Sequence, residues 1–252
     1  MNIVVITQDE PFYLPNVLPE LFRGIWGKHT VTGCVLLSPS PFGKRETAYE
    51  KAIRTYKVFG ARFFIYYSAR YIWSLIFKRG GVEKVFRANG VEVIRLKKSI
   101  NHSQSIELIN KMQPDVLVSI LGNEIFRAPL LQVAPCLNLH TAPLPRYRGL
   151  MPTFWVLRFK EKQTAVSVFL VDEGIDSGPI VVQKTLDIEN MTQEMLIKKS
   201  KLLGMQAMCE AIDQLATNTP SLIANDETKS TYFGFPTRED VRAFRKAGAR
   251  FF

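Results

Sequence analysis

Short apolar runs rich in β-branched residues recur along the first half of this chain. They lie at residues 3–6, 31–37, 91–96 and 116–120. Continuous apolar runs of this length are typical of strands buried on both faces of a parallel sheet. Stretches with helical periodicity lie between them, for example at residues 14–22 and 103–112. The alternation predicts right-handed βαβ units and an open, mostly parallel sheet of the α/β class.

The loop after the first predicted strand argues against one common kind of nucleotide site. It contains no glycine, whereas dinucleotide and P-loop sites need a glycine-rich turn at this place. It does contain two carboxylates, Asp9 and Glu10, near the carboxyl end of the strand. Either they bind the hydroxyl groups of a sugar substrate, or they belong to a solvated loop.

The segment 42–90 is rich in aromatic residues, with lysine and arginine at its edges. Its apolar run is interrupted at residues 68–70 and is too short to span a bilayer. Three interpretations stay open: buried core helices, the face of a homodimer, or a helix on a membrane surface. The buried helices are favoured over the other two.

The composition predicts a folded protein with a basic surface. Apolar residues make up 46% of the chain, and the formal net charge is +10. A positive balance favours an acidic partner such as a nucleotide, a polyglutamylated cofactor, RNA or an anionic membrane, but it also fits a basic surface without such a partner.

The three cysteines are widely spaced, which gives no support to a zinc site. We expect a cytoplasmic protein, because the amino terminus reads as a strand and not as a signal peptide.

The candidate chemistry lies in three pieces of sequence. Asn138 and His140 are two residues apart at the end of a predicted strand, so their side chains leave the same face. A stiff basic turn follows at residues 143–149, and Asp176 lies in the later loop 172–179. Each residue alone is compatible with a structural role. Together they supply an amide, an imidazole and a carboxylate, the groups needed to move an acyl unit onto an amine without a covalent enzyme intermediate.

These three pieces, in this order, resemble the folate-dependent formyltransferase family. The resembling residues are Asn138-x-His140, Leu144-Pro145-x-Tyr147-Arg148-Gly149 and Asp176-x-Gly178-Pro179, with Pro114-Asp115-Val116 and Gly122 before them. The resemblance covers about residues 80–215. In detail, including residues 155–157, the motif is most similar to the domain that formylates UDP-4-amino-4-deoxyarabinose. One departure is the turn Thr141-Ala142-Pro143, where related enzymes often have serine in place of Ala142.

The resemblance implies a Rossmann-like fold, 10-formyltetrahydrofolate as formyl donor and no metal. In this interpretation Asn138 donates a hydrogen bond to the developing oxyanion. His140 also stabilises that oxyanion and moves protons, and Asp176 orients His140 or keeps it positively charged. The residues expected to bind the cofactor are Leu121, Gly122, Ile125, Phe126, Asp172, Gly174 and Ile175. The residues expected to bind the substrate are Asp9, Glu10, Thr141, Arg146, Arg148 and Gly149.

The predicted organisation is a catalytic domain at residues 1–215, which includes the insert 42–90, and a tail at 216–252 with a short helix. The predicted function is direct transfer of a formyl group to a primary amine, most simply a nucleotide-linked amino sugar. One alternative is an enzyme similar to methionyl-tRNA formyltransferase. This alternative is less favoured, because the tail is short for an RNA-binding domain. A nucleic-acid partner is less favoured for the same reason. A second is a non-catalytic protein that binds folate or a nucleotide.

Overall fold

The computed structural model describes residues 1–37, 47–77, 81–96 and 98–252, apart from the side chains of Ala48 and Phe77. The first residues of the predicted insert, 42–46, lie outside the described residues. The strands are β1 (Asn2–Gln8), β2 (Thr30–Leu37), β3 (Val93–Arg95), β4 (Val116–Ile120), β5 (Cys136–His140), β6 (Arg148–Gly149), β7 (Gln163–Leu170), β8 (Ile180–Asp187) and β9 (Tyr232–Phe233). The helices are α1 (Leu14–Ile25), α2 (Ala48–Phe59), α3 (Ala61–Phe77), α4 (Gly81–Ala88), α5 (Ser103–Lys111), α6 (Ala128–Leu131), α7 (Pro152–Arg158), α8 (Gln193–Ala216) and α9 (Arg238–Lys246).

Seven strands form one sheet in the order β3-β2-β1-β4-β5-β7-β8. The first five in this order pair in parallel, and β7 is antiparallel to both β5 and β8. The prediction of an open, mostly parallel sheet is confirmed. The apolar runs at 3–6 and 116–120 form the central strands β1 and β4. Their side chains are buried on both faces, because helices pack on each side of the sheet.

Helices cover both faces of this sheet. On one face, α1, α4 and α8 contribute buried side chains such as Leu18, Phe86 and Met208 to the largest core cluster. On the other face, Ile109 of α5 and Leu130 of α6 pack with alternate residues of β1, β2 and β4. The sheet is therefore rigid, and the ends of its strands can hold side chains in fixed positions.

The insert and the tail meet in a second core cluster beside the sheet. Phe59 at the end of α2 stacks on Phe63 of α3, and both contact Phe251 near the carboxyl terminus. The tail also pairs β9 in parallel with β6. The predicted tail helix is present as α9, which begins after a capping box formed by Thr237 and Asp240. The boundary at residue 215 stays a prediction.

The two faces of α3 differ in exposure. Tyr66, Tyr67 and Ser74 face the protein, whereas Ile72 and Ile76 are exposed. The interpretation of the insert as buried core helices therefore holds for one face of α3 only. Within the described residues, no helix is long and apolar enough to cross a membrane.

Candidate active site

A cavity of about 460 Å³ opens where the central parallel strands end. Gln8 ends β1, Ser119 lies near the end of β4, and Asn138 and His140 lie near the end of β5, and all four line the cavity. Carboxyl ends of parallel strands are where open α/β sheets usually form ligand sites. The sheet topology therefore brings together residues that are far apart in the sequence.

Strand β5 places Asn138 and His140 side by side at the cavity wall. It lies between β4 and β7, so Asn138 is flanked by Ser119 and Phe169, which also line the cavity. His140 is 6% exposed, and its Nε2 lies 2.7 Å from the carbonyl oxygen of Tyr147. Because a carbonyl only accepts hydrogen bonds, Nε2 carries a hydrogen, and Nδ1 is the nitrogen at which the ring gains or loses a proton.

Asp176 faces Nδ1 of His140 from the loop between β7 and β8. Its Oδ2 lies 3.6 Å from that nitrogen and accepts a hydrogen bond of 2.8 Å from the backbone N–H of Gly149. The separation of 3.6 Å is longer than a hydrogen bond. The predicted catalytic residues Asn138, His140 and Asp176 are thus brought together at one wall.

Two glycines let the surrounding chain come this close. A β-carbon at Gly178 would lie 1.8 Å from the carbonyl oxygen of Leu170, so a larger residue would push the Asp176 loop away from β7. A β-carbon at Gly149, where φ is +95°, would lie 2.3 Å from the carbonyl oxygen of Phe233. Both glycines are required by backbone contact, and both lie within the resembling motif.

A side chain of the tail also holds the Asp176 loop. The Nδ2 of Asn225 donates to the carbonyl oxygens of Asp176, at 2.9 Å, and of Gly178, at 2.8 Å. Its Oδ1 accepts from the guanidinium of Arg148 at 3.0 Å. Asp176 itself has φ of +50°, a strained conformation for a residue other than glycine. The tail therefore helps to keep this carboxylate beside His140, and the sequence patterns did not single out Asn225.

The turn after β5 is supported by a buried serine. Ser167 of β7 donates to the carbonyl oxygen of Ala142 at 2.7 Å and accepts from the backbone N–H of Leu144 at 3.1 Å. Gln183 of β8 donates to the same hydroxyl group and to the carbonyl oxygen of Leu144. These contacts fix the turn that brings the Tyr147 carbonyl to His140. A polar residue inside an apolar strand pattern was the available signal for Ser167.

The residues predicted to bind the cofactor line the same cavity, with one exception. The lining residues are Leu121, Gly122, Ile125, Phe126, Gly174 and Ile175. The exception is Asp172, whose carboxylate accepts hydrogen bonds from Gly174 and Ser177 within its own loop. The apolar side chains of this set, together with Phe169 and Val171, suit a flat heterocycle such as a pterin, because the faces of its ring need apolar contact.

Of the residues predicted to bind substrate, Thr141 and Gly149 line the cavity, whereas Asp9 and Glu10 do not. Asp9 forms an ion pair with Arg95 at 2.9 Å. The carboxylate of Glu10 accepts hydrogen bonds from backbone N–H groups at the start of α1. Such N–H groups lack partners within the helix and attract negative charge, so both carboxylates have structural partners.

The two arginines of the basic turn also have partners away from the cavity. Arg148 is buried and forms an ion pair with Glu227. Arg146 forms an ion pair with Glu161, which accepts a hydrogen bond of 2.5 Å from the Tyr147 hydroxyl. Burial, together with this bond, raises the pKa of Tyr147 to about 12, so the hydroxyl keeps its proton. Both arginines were expected to bind substrate, but carboxylates of the protein meet their charges.

Helix α2 supplies cationic side chains at another wall of the cavity. Lys51 and Arg54, one helical turn apart, line it together with Met151, Pro152 and Phe235. The guanidinium of Arg54 lies 4.4 Å from the centre of the Phe235 ring. Sequence reasoning missed both residues, because the spacing of basic residues on a helix does not show which surface the helix will face.

A buried thiol also lies on strand β5, which carries Asn138 and His140. Cys136 is buried in β5, and burial raises the pKa of its thiol well above the usual range. A protonated thiol is a poor nucleophile, in keeping with a structural role. In the part of the chain that the structure describes, no group of three or more histidine, cysteine, aspartate or glutamate side chains is arranged to hold a metal ion.

Solved structures with the same fold include two N-formyltransferases. One is the Helicobacter canadensis enzyme in complex with folinic acid and dTDP-3-aminofucose, which is 16% identical with a TM-score of 0.60, over 98% of this chain and 80% of that one. The other is a sugar N-formyltransferase from a Shewanella species. It is 16% identical with a TM-score of 0.61, and the match covers 99% of this chain and 89% of that one. These likenesses show the shared fold.

Sequence comparison gives a closer relation. A methionyl-tRNA formyltransferase from Kosmotoga olearia is 30% identical over 163 residues, which are 64% of this chain and 52% of the relative. This chain thus spans about half the length of the curated relatives it matches. A family model described as formyl transferase matches residues 77–212, more than half of the chain and including Asn138, His140 and Asp176. The chain belongs to the formyl transferase family.

Proposed function

We propose that this protein transfers the formyl group of 10-formyltetrahydrofolate to a primary amine. The observation that carries the proposal is the convergence of Asn138, His140 and Asp176 on one cavity that also has an apolar wall. Family membership supports the donor, which supplies an activated formyl carbon when it is bound.

The residues of the site suit the charges that develop during such a transfer. An amine that attacks the formyl carbon places negative charge on the formyl oxygen, and the Asn138 amide is proposed to donate a hydrogen bond to it. The attacking amine must also lose a proton. His140 takes it at Nδ1, since Nε2 is occupied by the Tyr147 carbonyl. Asp176 then stabilises the charged imidazole.

The acceptor is proposed to be an amino sugar linked to a nucleotide. Lys51 and Arg54 line the cavity and bring positive charge to it. A diphosphate accepts charge-assisted hydrogen bonds from such groups, and a guanidinium can bind it with two parallel bonds. Both side chains come from α2, outside the residues 77–212 that match the family model.

The test is the release of tetrahydrofolate from 10-formyltetrahydrofolate with a panel of acceptors. The panel contains nucleotide-linked amino sugars that differ in the position of the amine, the same sugars without nucleotide, and methionyl-tRNA. We expect turnover with a nucleotide-linked sugar and much slower turnover when the nucleotide is removed. Turnover with none of the acceptors, by a protein that still binds folate, would contradict catalysis of this kind.

A prediction about α2 tests the acceptor side alone. Replacing Lys51 or Arg54 with methionine is expected to raise KM for the nucleotide-linked sugar by about 10- to 100-fold, because a hydrogen bond to a charged group contributes about 1.5–3 kcal/mol. KM for the folate should stay the same. Lys57→Met, on an exposed part of the same helix, is the matched control. A rise in the KM for folate instead would assign these cations to the glutamate of the donor.

Methionyl-tRNA is the second candidate acceptor, favoured by the relatives that match the chain. Its binding would depend on many phosphate contacts, so affinity should fall about 10³- to 10⁵-fold between 50 and 200 mM salt. A nucleotide sugar with a single diphosphate should show a much weaker dependence. Transfer to methionyl-tRNA, without turnover of any sugar, would replace the first candidate by the second.

The contact between the tail and the Asp176 loop gives a further prediction. Asn225→Ala removes the two hydrogen bonds that hold the backbone of this loop, and we expect kcat to fall about 10-fold and the free energy of unfolding to fall by about 1–3 kcal/mol. Steady-state assays measure kcat, and urea unfolding measures the free energy of unfolding. Thr228→Ala removes a hydrogen bond to Asp226 in the same part of the tail, without contact with the loop, and should leave kcat unchanged. Equal losses of kcat in both variants would contradict a positioning role for Asn225.

A further inference from the structure

Part of α3 presents an apolar surface to solvent. Six large apolar side chains of this helix are about half or more exposed: Ile65, Tyr71, Ile72, Trp73, Leu75 and Ile76. With about 100° of rotation per residue, Ile72 and Ile76 each point within about 20° of the direction of Ile65. A single exposed leucine or isoleucine needs no explanation, but a contiguous group of this size indicates an interaction surface.

The opposite face of α3 is firmly attached to the protein. Phe63 packs against Phe59 and Phe251, and the hydroxyl of Tyr66 donates to the carboxylate of Glu194 at 2.7 Å. Arg70 pairs with the same carboxylate. The exposed residues therefore cannot turn inward by rotation of the helix, and the surface is a stable feature of the fold.

The charge around this surface is of one sign. In the sequence, residues 61–82 contain no aspartate or glutamate, and their cations are Arg62, Arg70, Lys78 and Arg79. Of these, Arg70 is already paired with Glu194 on the opposite face. Arg62 is exposed and falls on the same side of the helix as Ile65. A second copy of the chain would bring two such segments together, which like charge opposes. An RNA would meet the charge but would leave the isoleucines without a partner.

We propose that α3 docks the protein on an anionic lipid surface, lying in the plane of the interface with Ile72, Trp73 and Ile76 inserted among the acyl chains. Aliphatic and tryptophan side chains beside lysine and arginine are the composition that binds such an interface. Basic residues near the helix add attraction to anionic headgroups, which salt weakens. With 17 residues, α3 lies on the bilayer and does not span it.

Flotation of the full chain with lipid vesicles tests this docking. One set of vesicles is phosphatidylcholine alone, and the other adds about 30% phosphatidylglycerol to supply negative charge. We expect binding to the anionic set at low salt and a loss of at least about tenfold in the bound fraction for the triple variant Ile72→Ser, Trp73→Ser, Ile76→Ser. The control variant, Trp26→Ser, Leu108→Ser, Leu222→Ser, also removes three exposed apolar side chains and should bind like the wild type.

Fluorescence shows which residue enters the lipid. The tryptophans are Trp26, Trp73 and the buried Trp155, so Trp26→Phe leaves Trp73 as the exposed reporter. Brominated lipids should quench its emission in anionic vesicles. Far-UV circular dichroism and turnover of a soluble acceptor, unchanged in the triple variant, show that it is folded. Absence of binding by the wild type, binding that the triple variant retains, or a dimer that this variant dissociates would each overturn the proposal.

Discussion

Replacement of His140 by alanine is expected to lower kcat for formyl transfer by about 100- to 10,000-fold, the usual contribution of a positioned proton-transfer group. The imidazole is buried, its Nε2 is held by the Tyr147 carbonyl, and Nδ1 faces Asp176. Removing it leaves the acceptor amine without a base and the carboxylate without its partner. Single-turnover rates with saturating donor and acceptor measure the effect on the chemical step.

His29 provides a matched control for this change. Its side chain is buried and lies 2.8 Å from the carboxylate of Asp213, but it does not line the cavity. His29→Ala should therefore lower the free energy of unfolding while leaving the single-turnover rate near that of the wild type. A loss of rate in His29→Ala as large as that in His140→Ala would mean that stability, not proton transfer, explains the result.

Asn138→Ala is expected to lower kcat by about 100- to 1000-fold, with little change in KM for either substrate. The reason is that an amide donor aimed at a developing oxyanion acts in the transition state far more than in the ground state. The side chain lies at the end of β5, at the cavity wall beside Ser119 and Phe169. Steady-state kinetics with both substrates varied separate the two parameters.

Asn138→Asp is a sharper version of the same experiment. Aspartate has nearly the same size, but its charge would repel the formyl oxygen as that oxygen becomes negative, so we expect a loss of kcat at least as large as in Asn138→Ala. Folate binding, followed by fluorescence, should be preserved in both variants. An aspartate variant with near-normal kcat would remove Asn138 from the proposed role.

Much of the sheet was predictable because local pattern and burial agree in its central strands. The runs at 3–6 and 116–120 are apolar on both faces and correspond to β1 and β4. The third predicted strand, 91–96, is shorter in the structure, where β3 covers Val93–Arg95. It lies at the edge of the sheet and pairs with β2 alone. The backbone N–H of Val91 donates instead to the carbonyl oxygen of Phe86 in α4, so regular pairing begins later in the chain.

The basic turn illustrates what the sequence does not contain. Positive charge at Arg146 and Arg148 was visible, but the carboxylates that meet it, Glu161 and Glu227, are 15 and 79 residues away. Burial of Arg148 requires both Glu227 and Asn225, since a buried charge without partners is costly. Only the packing of the tail on β6 decides that this arginine is internal.

The sequence by itself determined the alternation of strands and helices and the order of Asn138, His140 and Asp176, because these follow from local periodicity and from a motif read along one strand and one loop. The tertiary structure alone decided which charges reach the cavity. Lys51 and Arg54 line it, whereas Asp9 and Arg148 do not. The direction of a helix and the partner of a charge depend on contacts between residues far apart in the chain, and no local pattern encodes them.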